Sequence, residues 1–352
     1  MAQEGLMEAA GRPAAPPVPA APPPAPRRVF LFFIDGFGIG PDDPAKNPVL
    51  AADLPTLEKL LGGRRPVLSG LAGLAEPILA EPATMVPADA CLGVPGLPQS
   101  ATGQTALFSG VNAPALLGRH LNAYPNEALS QVLKEKGLLR RAVDRGLRAT
   151  FINAFTRFYT DLVESGGRQP SASTVTALGA GLPLRTVDDL LAGRAVYHDI
   201  TNEWLIARGF EVPVIDPETA GRRAAAIARD HEVSMFEHFL TDFAGHAQDM
   251  DQAVMVLERI DHFLGAFLAD FPLNDSLAVM ASDHGNIEDL SVKTHTRNPV
   301  PVIAMGAGRE ALTACVAAIT DVAPAMMSLL DSGLAGAGGG HTDGREEQTP
   351  AR

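Results

Sequence analysis

Six acid and imidazole side chains fall where they could share divalent cations. Asp35 follows the apolar run Val29–Ile34 and opens a glycine-rich turn, Asp35-Gly36-Phe37-Gly38. Asp242 and His246 follow a second run, Met235–Leu240, within Thr241-Asp242-Phe243-Ala244-Gly245-His246. Asp283 and His284 follow a third, Leu277–Ala281, and His295 immediately precedes a fourth, Val300–Met305. Carboxylates brought together repel one another unless a cation sits among them. Asp with His is the ligand set of borderline divalent metals such as Zn²⁺ or Mn²⁺. Six candidates are too many for one catalytic ion with open positions. Two ions about 4 Å apart, the arrangement that clamps both oxygens of an in-line phosphoryl displacement, use them better. Each residue also has a plainer reading: a turn or cap for Asp35, a chance spacing for Asp242 and His246, a satisfied loop histidine for His295. The joint pattern carries the metal reading. His120, His198, His231, His238, His262 and His341 read as surface or structural.

A nucleophile candidate lies in Leu97-Pro98-Gln99-Ser100-Ala101-Thr102-Gly103-Gln104, where small residues lead from a Pro/Gly loop into a helix. That places Ser100 at a helix N-terminus, where free amides and the dipole favour a phosphate. A serine hydroxyl needs a base or a metal to act as a nucleophile at neutral pH. The plain alternative is a serine N-cap, and Thr102 is the rival hydroxyl.

The elements that must position these groups alternate between strand-like and helix-like. Five short apolar runs read as buried strands: Val29–Ile34, Ala149–Ile152, Met235–Leu240, Leu277–Ala281 and Val300–Met305. Val256, Ile260, Phe263, Leu264 and Phe267 form one stripe of an amphipathic helix, with Glu258, Arg259 and Asp261 off it. This alternation implies an α/β fold around a mostly parallel sheet, and ligands bind such sheets at the edge shared by the strands' carboxyl ends. The acids past three runs would therefore converge. Helical patterns at Ala128–Val143, Thr186–Leu191 and Thr219–Ala228 set the middle of the chain apart. The expected division is a disordered Ala/Pro-rich arm (1–26), a first segment of the catalytic core (27–112), a cap or insert lobe (113–231), a second segment of the core (232–332) and a flexible tail (333–352).

The chain has 352 residues, 41 acidic against 28 basic, and a formal charge of −13. That balance excludes a nucleic-acid binder, which needs a basic face, but not a phosphate enzyme whose positive charge comes from metal ions. Cys91 and Cys315 supply no disulfide framework and read as small buried hydrophobes in a reducing compartment. No apolar run reaches the roughly 18 residues of a membrane span, and the first 26 residues lack the pattern of a signal peptide. The expected setting is cytoplasmic, with no membrane or nucleic-acid partner.

Taken in order, Phe33-Ile34-Asp35-Gly36-Phe37-Gly38, Gln99-Ser100-Ala101-Thr102-Gly103, Thr241 to His246, Asp283-His284-Gly285-Asn286 and Thr294 to Pro301 resemble the metalloenzyme branch of the alkaline phosphatase superfamily, similar to cofactor-independent phosphoglycerate mutase and phosphopentomutase. Thr320-Asp321-Val322-Ala323-Pro324 is similar to the family's closing helix start. The resemblance implies an alkaline-phosphatase-like three-layer sandwich with a smaller inserted cap lobe. It implies that Ser100 becomes phosphorylated. It also implies that Asp35, Ser100, Asp283 and His284 hold one divalent ion, Mn²⁺ or Zn²⁺, and Asp242, His246 and His295 the other. The expected reaction is hydrolysis of a small phosphorylated metabolite, with intramolecular phosphate transfer as the alternative. Gln104 stands where the phosphoglycerate mutases carry a histidine, and their substrate arginines have no match here. Asn286, Arg297, Arg157 and Arg194 are candidate phosphate contacts, each with a salt-bridge or cap reading beside it. A nucleotide-dependent oxidoreductase would rest on Gly36, Gly38 and Gly40, but their spacing differs from the dinucleotide fingerprint. A non-catalytic metal scaffold would have no use for Ser100.

Overall fold

The structure, a computed structural model, describes residues 25–69 and 74–338. Nearly all of the expected arm, the tail beyond 338 and His341 lie outside the described residues. Residues 333–338 of the expected tail continue a helix.

The principal sheet has seven strands: β1 (Arg28–Ile34), β2 (Ile78–Leu79), β3 (Ala83–Ala88), β4 (Ala149–Phe151), β5 (Val233–His238), β6 (Ser276–Ser282) and β7 (Val300–Gly306). Their order is β2-β3-β7-β6-β1-β5-β4. Strands β4, β5, β1 and β6 are parallel, whereas β7 runs against β6, and β3 and β2 continue the antiparallel pairing. Strands β1, β6 and β7 read as near-continuous apolar runs because both faces of the sheet are covered. Alternation decides which side chain goes where. Phe30, Phe32 and Ile34 enter one core, and Val29, Leu31 and Phe33 enter the other.

The helices that matter here are α1 (Ser100–Ser109), α2 (Glu127–Lys136), α3 (Leu138–Asp144), α4 (Ala172–Gly179), α5 (Pro217–Arg229), α6 (Leu240–Ala247), α7 (Met250–Asp270) and α8 (Val322–Gly338). The stripe on α7 is buried as its spacing requires, and Phe263 and Phe267 stack on Phe236 and Phe30 at centroid separations of 5.1 and 4.1 Å. Asp261, expected off the buried face, is buried too: its carboxylate accepts the amides of Thr56 and Leu57 at 2.9 and 2.7 Å and caps the short helix Pro55–Leu60. The opposite face of the sheet is covered by α1, α2, α3, α4 and α8, so the layers are helix, sheet, helix.

The stretch 113–231 is not wholly a separate lobe. Its strand β4 pairs with β5, and Leu129, Leu133, Leu138 and Leu139 lie in the same core as β1, because α2 and α3 have apolar faces that only the sheet can bury. A small cluster of its own (Ala154, Leu190, Ala195, Tyr197, Leu205) forms in the region nearer the site. The cysteines also depart from expectation. Cys91 lies half-buried in a loop after β3 and Cys315 is exposed at a helix end, both unpaired. Among the described residues no helix is long and apolar enough to cross a membrane.

Phe263 has no exposed surface and joins sheet to helix, so Phe263→Ala should lower unfolding free energy by about 3–5 kcal/mol. Denaturant titration with an unchanged m-value checks this.

Candidate metal centre

Register brings the acids together. Ile34 of β1 lies beside Ser282 of β6 and His238 of β5, so Asp35 and Asp283 leave adjacent parallel strands at the same level. Asp242 follows four residues past β5, in the first turn of α6. His295 reaches the same edge from the other direction: it precedes β7, whose start lies at the carboxyl end of β6 only because the two strands are antiparallel.

The first group centres on His284. Its Nε2 is 3.2 Å from Asp35 Oδ1, 3.4 Å from Asp283 Oδ2 and 3.1 Å from Ser100 Oγ. The second contains Asp242, whose carboxylate is 3.4 Å from His295 Nε2 and 3.5 Å from His246 Nε2. The two groups touch, with the His284 and His295 rings stacked at 3.8 Å. All six expected acid and imidazole ligands, and Ser100, are therefore brought together. Asp35, Asp283 and His284 form one compact set of donors, and Asp242, His284 and His295 another.

The donors fit a cation. Asp35 Oδ1 and Asp283 Oδ2 are buried and make no hydrogen bond. His246 and His295 turn Nδ1 to the backbone carbonyls of Lys293 and Pro98, at 2.9 and 2.8 Å. A carbonyl only accepts, so each Nδ1 carries the hydrogen and each Nε2 presents a lone pair, as metal-ligating histidines do. Those two Nε2 atoms face each other at 3.2 Å, a separation that requires a shared proton or cation.

Without such a cation the charges are strained. Burial, then repulsion from Asp283 and Asp242, raises Asp35 to about 7. Burial also raises Asp283 to about 6. Burial works against the charged form of His284, yet Asp283, Asp35 and Asp242 override it and raise its pKa to about 10. Burial works against the charged form of Asp242, yet the neighbouring His295 and His284 imidazoles and the Asn286 amide outweigh it and hold the carboxyl at about 2.

Ser100 is the first residue of α1, and its Oγ meets His284 instead of capping the helix. Thr102 is occupied structurally: its hydroxyl donates to Gln99 O and accepts the Leu121 amide. The Ser-x-x-Gly spacing has a steric cause, since a Cβ on Gly103 would lie 2.7 Å from Asp283 O. Only glycine lets the helix approach closely enough for Ser100 to reach the acids. Gln104 donates to Asp35 Oδ2 at 2.9 Å.

The sequence motifs did not single out Glu288. Its buried carboxylate accepts from Gly38 N, Asn286 N, Thr296 Oγ1 and Asn298 Nδ2, tying three motif loops together. The signal was available, as Glu288 stands two residues beyond Asn286 at the end of the Asp283-His284-Gly285-Asn286 motif. Asn286, expected as a phosphate contact, instead donates to Asp242 Oδ1 at 2.7 Å and holds it in place. None of the expected arginines lines the cavity above Ser100. Arg157 and Arg194 pair with Asp188 and Asp189 on the surface, and Arg297 lies outside the cavity lining. The arginines that do line it are Arg168 and Arg208, and His198, expected at the surface or in a structural role, lines it too.

Residues 218–332 match the family described as Metalloenzyme superfamily. Over these residues the chain is similar to that superfamily. The match covers Asp242, His246, Asp283, His284 and His295; Asp35 and Ser100 lie outside it. The chain is similar to 2,3-bisphosphoglycerate-independent phosphoglycerate mutases from Dinoroseobacter shibae (29% identity over 120 residues, 32% of this chain and 24% of that protein) and Paracoccus denitrificans (31% over 121 residues, with the same coverage). It thus spans about a quarter of the length of these curated relatives. Among solved structures it is similar in fold to the PH0037 protein from Pyrococcus horikoshii, with TM-score 0.52, 15% identity, and coverage of 87% of this chain and 97% of that one.

A divalent ion entering beside Asp35, Asp283 and His284 must displace protons these groups hold below their raised pKa values. Metal affinity should therefore rise with pH, most steeply below about 6, where Asp35, Asp283 and His284 all hold protons, and less steeply up to about 10, where only His284 does. Calorimetric titration in buffers of different ionisation enthalpy should show proton release on binding; binding without release would contradict this charge balance.

Proposed function

We propose that the chain is a two-metal phosphoryl-transfer hydrolase acting on a small phosphorylated substrate through a phosphoserine at Ser100. The observation that supports this most is the Ser100 hydroxyl, uncommitted to capping and 3.1 Å from His284 Nε2 at the junction of the acid and imidazole groups. Asp35, Ser100, Asp283 and His284 would hold one ion, and Asp242, His246 and His295 the other, with manganese and zinc the metals suited to that donor set. Bound there, the ions would supply Lewis acidity, easing loss of the serine proton and offsetting charge on the transferring phosphoryl group.

The chain's own residues do the rest. Ser100 loses its hydroxyl proton and attacks phosphorus in line. A P–O bond forms to Ser100 as the bond to the substrate's alcohol breaks, and the alcohol leaves with a proton. Water then attacks the phosphoserine, releasing inorganic phosphate and restoring the hydroxyl. The N-terminus of α1 places favourable partial charge beside the phosphate. Gln104 and Asn286 fix the rotamers of Asp35 and Asp242, which limits reorganisation during the reaction.

Transfer to a second substrate hydroxyl in place of water would make the reaction a mutase, the activity named for the curated relatives. Two unpaired cysteines accord with a reducing, cytoplasmic setting.

Ser100→Ala should reduce phosphate release from a small phosphomonoester by about a thousandfold or more. Elemental analysis should still find divalent metal bound. Retained turnover would assign the nucleophile elsewhere.

A further inference from the structure

The cavity above Ser100 encloses about 790 Å³, and its floor includes Asp35, Ser100 and Asp242. Its walls are aromatic to an unusual degree. Tyr197, His198 and Phe239 form a continuous pile, with ring centroids 4.1 and 4.2 Å apart. Trp204 meets His198 and Phe243 edge-on, at 5.3 and 5.5 Å. Phe155 and Tyr159, stacked at 5.0 Å, also line it. Among the described residues the exposed large aromatics are Tyr124 (39%), Phe158 (71%) and Phe243 (53%), and all three line this cavity. Aromatic surface left in water and gathered at one opening marks a binding site for an apolar group.

The charges point the same way. Arg168 lies over the Tyr159 ring at 5.3 Å and reaches the Tyr124 hydroxyl at 3.4 Å. Arg208 lies over the Trp204 ring at 5.3 Å and donates to the Tyr197 hydroxyl at 3.1 Å. Both arginines among the lining residues are therefore engaged with rings, and Glu237 adds a further carboxyl group to the wall. Each arginine meets a ring face and a tyrosine hydroxyl, so the cavity wall presents π faces flanked by cations to whatever stands over Ser100.

We infer that the alcohol portion of the substrate is a planar aromatic ring system, stacked against these walls while its phosphate lies over Ser100. This rests on the phosphoryl-transfer reading and narrows its substrate class. No new bond chemistry is required, because the aromatic group is simply the alcohol that departs.

The test compares esters of primary alcohols, so that the leaving groups differ little. On the metal-loaded protein, benzyl phosphate should show kcat/KM about tenfold or more above n-butyl phosphate, with 3-phosphoglycerate below both. Equal values, or a preference for phosphoglycerate, would overturn the inference. Phe243 and Phe158 are exposed, so Phe243→Ala and Phe158→Ala should fold normally. Each should bring the benzyl-to-butyl ratio toward one, mainly through KM; an unchanged ratio in both would contradict the assignment.

Binding is read separately from turnover. Trp204 is the chain's sole tryptophan and stands in the cavity wall, so its emission reports occupancy. Benzylphosphonate should quench it at lower concentration than butylphosphonate, and equal response to the two would overturn the inference. If that preference holds while no ester turns over, the aromatic site stands and the hydrolase reading alone fails.

Discussion

Positive charge is what this structure most needs. Three carboxylates, Asp35, Asp242 and Asp283, are drawn to one end of a buried sheet, where solvation cannot offset their repulsion. Without a metal the His284 imidazolium takes the cation's place between two of them, and the carboxyls of Asp35 and Asp283 are pushed toward neutral pH. Everything around the cluster limits how it could relax. Glu288 ties down the loops, Asn286 and Gln104 fix two of the carboxylates, and backbone carbonyls set the histidine tautomers. A site held this rigidly in a strained charge state is organised for divalent ions.

Strand direction produces the convergence. Parallel β1 and β6 deliver Asp35 and Asp283 to the same level, and β5 delivers Asp242 through the first turn of α6. His295 arrives on the amino side of β7 and could not meet the others if β7 ran parallel to β6. Gly103 then allows α1 to seat Ser100 against Asp283. Two helices, three parallel strands and one reversed strand are sufficient to assemble every proposed ligand.

Much of this was legible in the sequence, because buried strands leave continuous apolar runs and the acids fall just past them. All five expected strands form, and the amphipathic stripe on α7 is the buried one. The direction of β7 was not legible, since an apolar run carries no mark of its orientation. Strand β3 escaped notice because Ala83–Ala88 mixes small and polar residues with Pro87, a composition that reads as loop and is tolerated beside another proline-bearing strand, where Pro87 faces Pro301. The middle of the chain reads as a lobe apart because its helices show their own texture; that their apolar faces belong to the main core depends on contacts far away in sequence. The aromatic cavity was invisible for a related reason. Its rings come from Tyr124 to Phe243 with no period, so only the fold gathers them. The arginines failed as predictors because exposed arginines find nearby acids, as Arg157 and Arg194 do.

The central claim is that the acid and imidazole side chains form two ion sites, sharing an edge at His284. Elemental analysis of the purified protein after equilibration with manganese or zinc tests it most directly, comparing wild type with His295→Ala and Asp242→Asn, which alter the second group and leave Asp35, Asp283 and His284 intact. The expected result is two ions per chain in the wild type and about one in each variant. The same stoichiometry in all three proteins would contradict the two-site arrangement.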